Sequence, residues 1–292
     1  MTSLEAREAL VGPVETSGPS TIPRRASDVF LGAASWRLAG SPGQWVSYAA
    51  GRCATVLMPR FGSCAVSVEG RKPVFLDPRL GLFIPAGHPF RMASVTPRQA
   101  TGRAIRVSNE VGEGLGSSPA ESRRGREIPF VAEIPDLVAI LAALNRWKAN
   151  ESDPRARLDV VAAVRSAVLT PSPAPGGDSR SIRTVRRTRM LLVDRYAQPL
   201  TLASIGRSLG LSPYYVCHVF RRHFGVSIHQ FLLDLRVRAA LELISNGPAI
   251  FGELGDRLGF SSPSHFASAI RARVGFTPSD LARLIVPSEM AG

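Results

Sequence analysis

The chain has 292 residues, 45% of them hydrophobic, and a mean hydropathy near zero, enough for about two globular domains and unlike a wholly disordered chain. Thirty-six Lys and Arg against 23 Asp and Glu leave +13. That balance attracts polyanions such as nucleic acid or anionic membrane, although an arginine-rich genome alone also raises the charge of a protein.

The first segment, MTSLEAREALVG, carries glutamates where a signal peptide would be basic and then apolar, and residues 1–28 are expected to be flexible. The longest apolar run, Leu137 to Leu144, is too short to cross a bilayer, so a soluble, non-exported, cytoplasmic protein without membrane contact is expected. Cys53, Cys64 and Cys217 lie too far apart for a disulfide framework or a zinc site and suit a reducing compartment.

From about Val29 to Val107, short apolar stretches (CATVLMP, SCAVSVEG, PVFLD, LGLFIPAG) alternate with Gly, Pro and Asp, at the spacing of an antiparallel β sandwich or barrel. SCAVSVEGRKPVFLD reads as a hairpin. The stretch Glu110 to Arg126, rich in Gly, Ser and charge, reads as loose. Two helical patterns follow, one on Ile134, Leu137, Val138, Leu141 and Leu144, the next on Leu158, Val161, Val164 and Val168. Such helices pack on the β region or on a second copy of it.

Thr170 to Ser181, TPSPAPGGDSRS, has the composition of a solvated linker, and residues 171–181 are taken as the boundary between two domains, 29–170 and 182–286. From Asp178 onward 15 basic and 8 acidic residues leave +7. Everything beyond reads as helix. An arginine-studded helix spans about Ile182 to Tyr196; Thr201 caps the next; Ser212, with Pro213 at the first helical position, starts a third that Gly225 ends. That third helix, in LSPYYVCHVFRRHFG, places Val216, Val219, Phe220 and Phe224 on one side. Tyr214, His218 and Arg221 lie opposite, with Cys217 and Arg222 at the edges, while His223 reads as a packed or capping residue. Ser227 to Asn246 forms a longer amphipathic helix on Ile228, Phe231, Leu232, Leu235, Ala239 and Leu243.

The pattern then repeats. IGRSLGLSPYYVCHVFRRHFGVS from Ile205 matches LGDRLGFSSPSHFASAIRARVGFTP from Leu254: Leu209 with Leu258, Gly210 with Gly259, and, after one inserted residue, Val216 with Phe266, Phe220 with Ile270, Gly225 with Gly275 and Ser227 with Thr277. Each repeat is short helix, glycine turn, second helix, the helix-turn-helix pattern. A helix with short side chains at its start fits a DNA major groove, and flanking arginines neutralise phosphates. The joining helix of about 20 residues would span ~30 Å, near the ~34 Å between successive major-groove openings on one face of the duplex. Spacing alone also fits an all-α bundle or a helical protein-binding repeat.

The residues themselves carry more. From about Val185 to Leu284 the chain resembles the DNA-binding domain of AraC/XylS-family bacterial transcription regulators, notably in FRRHFG of the first repeat and GFSSPSHF and GFTP of the second. The resemblance implies an α+β multidomain protein: an N-terminal cupin-like β barrel with appended helices, serving as a sensory or dimerisation domain, and a C-terminal all-α domain with two helix-turn-helix units. LGLFIPAGHPFRM, Leu80 to Met92, resembles the strand-turn-strand of such a barrel. The resemblance further implies double-stranded DNA as partner, RNA polymerase as a second, a small-molecule effector, a homodimer, and activation rather than repression.

Base-reading candidates on the same resemblance are Tyr214, Cys217, His218 and Arg221 in the first repeat and Ser264 and Ser268, beside Ala267, in the second. Phosphate-contact candidates are Tyr215, Arg222, His265, Arg271 and Arg273. The family often carries a long polar residue where Ala267 and Ser268 stand, so base discrimination is expected mainly from the first repeat and backbone grip from the second. His265 suits phosphate contact or helix-start packing equally.

No catalytic residue, metal site or cofactor is expected. An enzymatic cupin needs several histidines and a carboxylate, and His88, which reads as a turn residue, is the sole histidine of the first 177 residues. The cysteines show no activating arrangement and read as small apolar residues. The competing function is an effector-binding cupin-like protein whose helical domain serves protein interaction.

Overall fold

Short runs of β-branched and apolar residues punctuated by glycine and proline favour extended chain. The computed structural model describes residues 30–38, 41–69, 71–96, 99–108, 130–168, 179–247 and 250–286, so the expected flexible N-terminus 1–28, the loose stretch 110–126 and the linker up to residue 178 lie outside the described residues. The chain separates into two compact units, Met1–Ser172 and Pro173–Gly292.

The N-terminal unit has nine described strands: β1 (Phe30–Arg37), β2 (Val46–Tyr48), β3 (Ala54–Phe61), β4 (Cys64–Val68), β5 (Val74–Leu76), β6 (Leu80–Ile84), β7 (Phe90–Ser94), β8 (Thr101–Val107) and β9 (Phe130–Glu133). They pair antiparallel as a five-stranded sheet, β1-β8-β3-β6-β9, and a four-stranded sheet, β2-β7-β4-β5. The expected hairpin is β4 and β5, with Cys64 opposite Leu76. The expected barrel is corrected: among the described residues the strands form two sheets that do not close into a ring. Leu80 to Met92 does run strand, turn, strand, but β6 pairs with β3 and β9 while β7 pairs with β2 and β4. The turn passes the chain from one sheet to the other. Trp36, Leu57, Leu82 and Ile84 of the first sheet and Val66, Leu76 and Met92 of the second share one buried cluster, because each sheet has an apolar face that only the other can cover.

Two helices complete this unit, α1 (Leu137–Ala149) and α2 (Pro154–Val168). Asp136 caps α1 by accepting from the Ala139 N–H. Trp147 of α1 meets Phe30 of β1 edge to face at 4.9 Å, and Arg146 pairs with Asp159 of α2 at 3.1 Å. His88 is the turn residue expected, its Nδ1 3.0 Å from the Ala86 carbonyl and its Nε2 3.7 Å from Glu69.

The C-terminal unit is helical throughout: α3 (Ser179–Arg195), α4 (Leu202–Leu209), α5 (Pro213–Phe224), α6 (Ile228–Ile244), α7 (Phe251–Arg257), α8 (Pro263–Val274) and α9 (Pro278–Ile285). Local chemistry sets the ends. Thr201 with Ser204, Ser227 with Gln230 and Thr277 with Asp280 form reciprocal capping boxes, and Ser212 and Ser262 each cap a helix whose first residue is proline. Gly210, Gly225 and Gly275 end α4, α5 and α8 in the left-handed region that glycine enters without strain.

The two repeats are α4–α5 and α7–α8. In each, the first helix approaches the segment that follows it through a glycine. A Cβ on Gly206 would stand 2.7 Å from the Leu211 carbonyl oxygen, and one on Gly255 would stand 3.2 Å from Cβ of Phe266. Gly206→Ala is therefore expected to lower stability by about 1–3 kcal/mol through overpacking. Gly252→Ala, where a Cβ meets nothing within 4 Å, is expected to be neutral or stabilising. Urea unfolding of the full chain and both variants checks this; equal midpoints for the two variants would refute the close approach.

Candidate nucleic-acid interface

A helix packed on one stripe presents the opposite one to solvent. In α5 the buried stripe is Val216, Val219 and Phe220. Phe220 meets Phe224 at 4.7 Å and Phe231 of α6 edge to face at 5.2 Å, and Phe224 lies 5.3 Å from Phe231, so the aromatic cluster fixes how α5 is rotated. Tyr214, His218, Arg221 and Arg222 then point outward, Tyr214 at 82% exposure. The Tyr214 and His218 rings are nearly parallel, 13° apart with centroids at 6.3 Å, as residues one helical turn apart on one face should be. Cys217 is half-buried at the edge of this face, and so is Tyr215, over whose ring the Arg180 guanidinium of α3 sits at 5.8 Å. His223 turns inward, its Nδ1 2.9 Å from the Val219 carbonyl.

In α8 the buried stripe is Phe266, Ala269 and Ile270, with Phe260 of the preceding turn edge to face on Phe266 at 5.2 Å. Ser264, Ser268 and Arg271 are exposed and Ala267 is half-buried. The residue inserted in the second repeat has a use. Gly259 stands 49 residues after Gly210 but Ser262 stands 50 after Ser212, so the turn holds Ser261 as an extra residue, and its Oγ lies 3.0 Å from Nδ1 of His265. Phe260 also meets the His265 ring at 5.5 Å. The imidazole of His265 is thus held at the start of α8 by Ser261 and Phe260, beside the outer face.

The sequence-predicted residues therefore gather on two helix faces, with one exception. Arg273 is drawn back onto α6, where its Nη2 donates to the Gln230 carbonyl at 2.9 Å and its Nη1 lies 3.5 Å from Asp234. Asp234 also accepts from Nε of Arg238 at 3.2 Å. No carboxylate stands anywhere in α5 or α8, so the side-chain charges these helices carry on their outward faces are cationic. Arg180 is a residue that the sequence does not single out; its one signal there is the arginine density of α3.

The spacing between faces is not set as the helix length suggested. α6 has 17 residues, or ~25 Å at ~1.5 Å per residue, rather than ~30 Å. Moreover, the C-terminal end of α5 packs on Phe231 while that of α8 reaches Gln230 and Asp234, all in the first two turns of α6. α6 is a shared wall, not a spacer.

Among the described residues no cluster of three or more His, Cys, Asp or Glu side chains could hold a metal, and no helix is long and apolar enough to cross a membrane. The three cysteines are free. Burial pushes the Cys64 thiol far above its ordinary value, with Asp77 adding to the rise, and burial also raises Cys53 against the opposing pull of Arg106.

Residues 205–283 match the family model described as a helix-turn-helix domain. Among curated relatives, the HTH-type transcriptional regulator GlxA of Rhizobium meliloti is 33% identical over 86 residues, 30% of this chain and 26% of that protein. The arabinose operon regulatory protein of Salmonella typhimurium is 29% identical over 117 residues, 40% of each chain. The matched part thus spans well under half the length of these relatives. A solved structure, the C-terminal domain of AraT, a response regulator from Geobacillus stearothermophilus, is 28% identical, with 39% of this chain and 95% of that one covered at a TM-score of 0.37.

Arg273 and Arg271 should separate by what they do for the fold. Arg273→Ala removes a charged donor to a carbonyl and an ion pair at a half-exposed site and is expected to cost about 1 kcal/mol of stability. Arg271→Ala removes only an exposed side chain and should cost less than about 0.5 kcal/mol. Urea midpoints of the two full-length variants check this, and equal losses would contradict the internal role of Arg273.

Proposed function

The helical unit of this chain belongs to the AraC/XylS family of helix-turn-helix regulators, and we propose on that footing that the protein is a sequence-specific DNA-binding transcription regulator, acting as an activator, whose α5 and α8 enter two successive major grooves of double-stranded DNA. The observation that carries this reading is the pair of outward faces, both free of carboxylates, each on a helix that begins with a serine cap and a proline and so starts slim enough to approach base edges.

The faces divide the work. Tyr214 can pack on a thymine methyl group or donate a hydrogen bond, His218 can donate to a purine acceptor, and Arg221 can pair with guanine, while Arg222 lies at the edge facing phosphate. Cys217, half-buried, contributes shape more than hydrogen bonding. Ser264 and Ser268 are short, and Arg271 supplies the charge of the second face, so that repeat chiefly grips backbone. The N-terminal unit serves as the sensory or dimerisation part, with a small-molecule effector or a second copy of the chain as partner. RNA polymerase is the further partner in activation, and the cytoplasm, where bacterial DNA lies, is the place of action.

The division predicts unlike mutants. His218→Ala should change the ranking of operator variants by about 1–3 kcal/mol at the base it reads. Arg271→Ala should weaken binding to every variant by a similar factor and reduce the slope of log affinity against log salt by about 0.9. Titrations of full-length protein against a set of duplexes at several salt concentrations decide it. Identical behaviour of the two mutants would remove the division, and affinity insensitive to salt would remove DNA as the partner.

A further inference from the structure

Arg236 lies on α6 away from both outward faces, and its guanidinium joins three segments. Its Nε donates to the Tyr196 carbonyl at 2.7 Å and its Nη2 to the Gln198 carbonyl at 3.1 Å, in the turn between α3 and α4 that leads into the first repeat. Its Cζ sits 5.9 Å from the centre of the Phe260 ring, in the glycine turn of the second repeat. The Tyr196 and Gln198 carbonyls lie just past the C-terminal end of α3, the negative end of its dipole, where a guanidinium is a stronger donor than a neutral group would be. Arg236 is half-buried in this joint, and that burial pushes its pKa below its ordinary value.

The same joint holds Gly259, at φ +83. A Cβ there would stand 2.6 Å from the Ala197 carbonyl oxygen and 2.9 Å from Nη2 of Arg236. The turn of the second repeat therefore abuts the turn that leads into the first, with Arg236 bonded to one and stacked on the other. The bonds and the ring contact of this side chain all fall outside α5 and α8.

We propose that Arg236 is a positioning residue that locks the two repeats in one relative orientation and thereby sets the spacing of the two half-sites the protein accepts on DNA. This rests on the two-groove reading proposed above. Two binding surfaces on a rigid body engage together only when the half-sites have the matching separation and helical phase; loosening the joint spreads the effective concentration of the second surface over many geometries.

The test uses full-length protein and a duplex that the wild type selects from a randomised pool, footprinted to define its two half-sites. Affinity is measured for that duplex, for versions with one to five base pairs inserted between the half-sites, and for versions with either half-site scrambled. Wild type is expected to bind the intact duplex about tenfold or more tighter than the version whose first-repeat half-site is scrambled. Because the second repeat chiefly grips backbone, the gain over the version whose second half-site is scrambled is smaller, about two- to threefold; that smaller gain should be lost on insertion of about half a helical turn, five base pairs. Arg236→Met keeps an unbranched stem but removes both hydrogen bonds and the guanidinium over Phe260. It should bind the scrambled duplexes within about twofold of wild type, yet show a reduced gain on the intact duplex and a flattened response to insertion, with Arg236→Lys in between.

A wild-type spacing profile in Arg236→Met overturns the proposal. So does a parallel fall in affinity for intact and scrambled duplexes, which is the mark of a residue that merely supports the fold. Thermal unfolding accompanies each variant, and if Arg236→Met does not fold, the same comparison on Arg236→Lys decides. Wild type that gains nothing from the second half-site overturns the two-groove reading itself, and this proposal with it, whereas a wild-type gain with an unaltered variant overturns only the role of Arg236.

Discussion

Two helix-turn-helix repeats are each too small to bury their own apolar stripes, and the C-terminal unit solves this with one shared helix. Phe231 of α6 takes the end of α5 through Phe220 and Phe224, while Gln230 and Asp234, on the same turns, take the end of α8 through Arg273. A fully buried phenylalanine contributes about 1.5–3 kcal/mol, so the aromatic contact is large beside the exposed ion pairs of the unit. The rotation of α5 follows from it. Once Phe220 and Val216 are committed inward, Tyr214, His218 and Arg221 have no surface to meet but solvent or a ligand.

The two outward faces share a frame and differ in reach. In the first, a nearly parallel Tyr214 and His218 pair stands clear of the helix and Arg180 reaches over Tyr215 from α3, widening the cationic border. In the second, the longest side chain beside the serines is Arg271, because Arg273 is turned onto α6 and His265 is held by Ser261 and Phe260. The extra residue that breaks the repeat at Ser261 is the one that tethers the histidine.

Much of the helical unit was legible because its ends are set by residues within four positions of one another. Thr201, Ser212 with Pro213, Gly225 and Ser227 each act on their own helix, so the chain states them locally. The paired sheets were less legible. The apolar runs mark β6 and β7 as buried strands, but not that one strand pairs with β3 and the other with β4; that choice is made by partners distant in the chain and by the packing of the two sheets on each other. Arg273 and Arg236 were illegible for a related reason. An arginine near a helix end reads the same whether it reaches solvent or folds back onto a carbonyl of a distant segment, and only the packed structure distinguishes them.

On the proposed two-groove reading, the weakness of the second face and the tightness of the joint are connected. A surface of two serines and one arginine forms few strong contacts and could not hold DNA alone, since docking a free body costs several kcal/mol of lost translation and rotation. Attached rigidly to a surface that has already docked, it incurs almost none of that cost, and even a modest grip then adds to affinity. Rigidity is what makes short side chains useful there. At the contact between the Gly259 turn and the Ala197 carbonyl, with Arg236 bonded across it, the turn of one repeat meets the approach to the other. On that reading a looser joint would call for a longer-armed second helix, and the tightness of this one is what the short serine and alanine side chains of α8 would depend on.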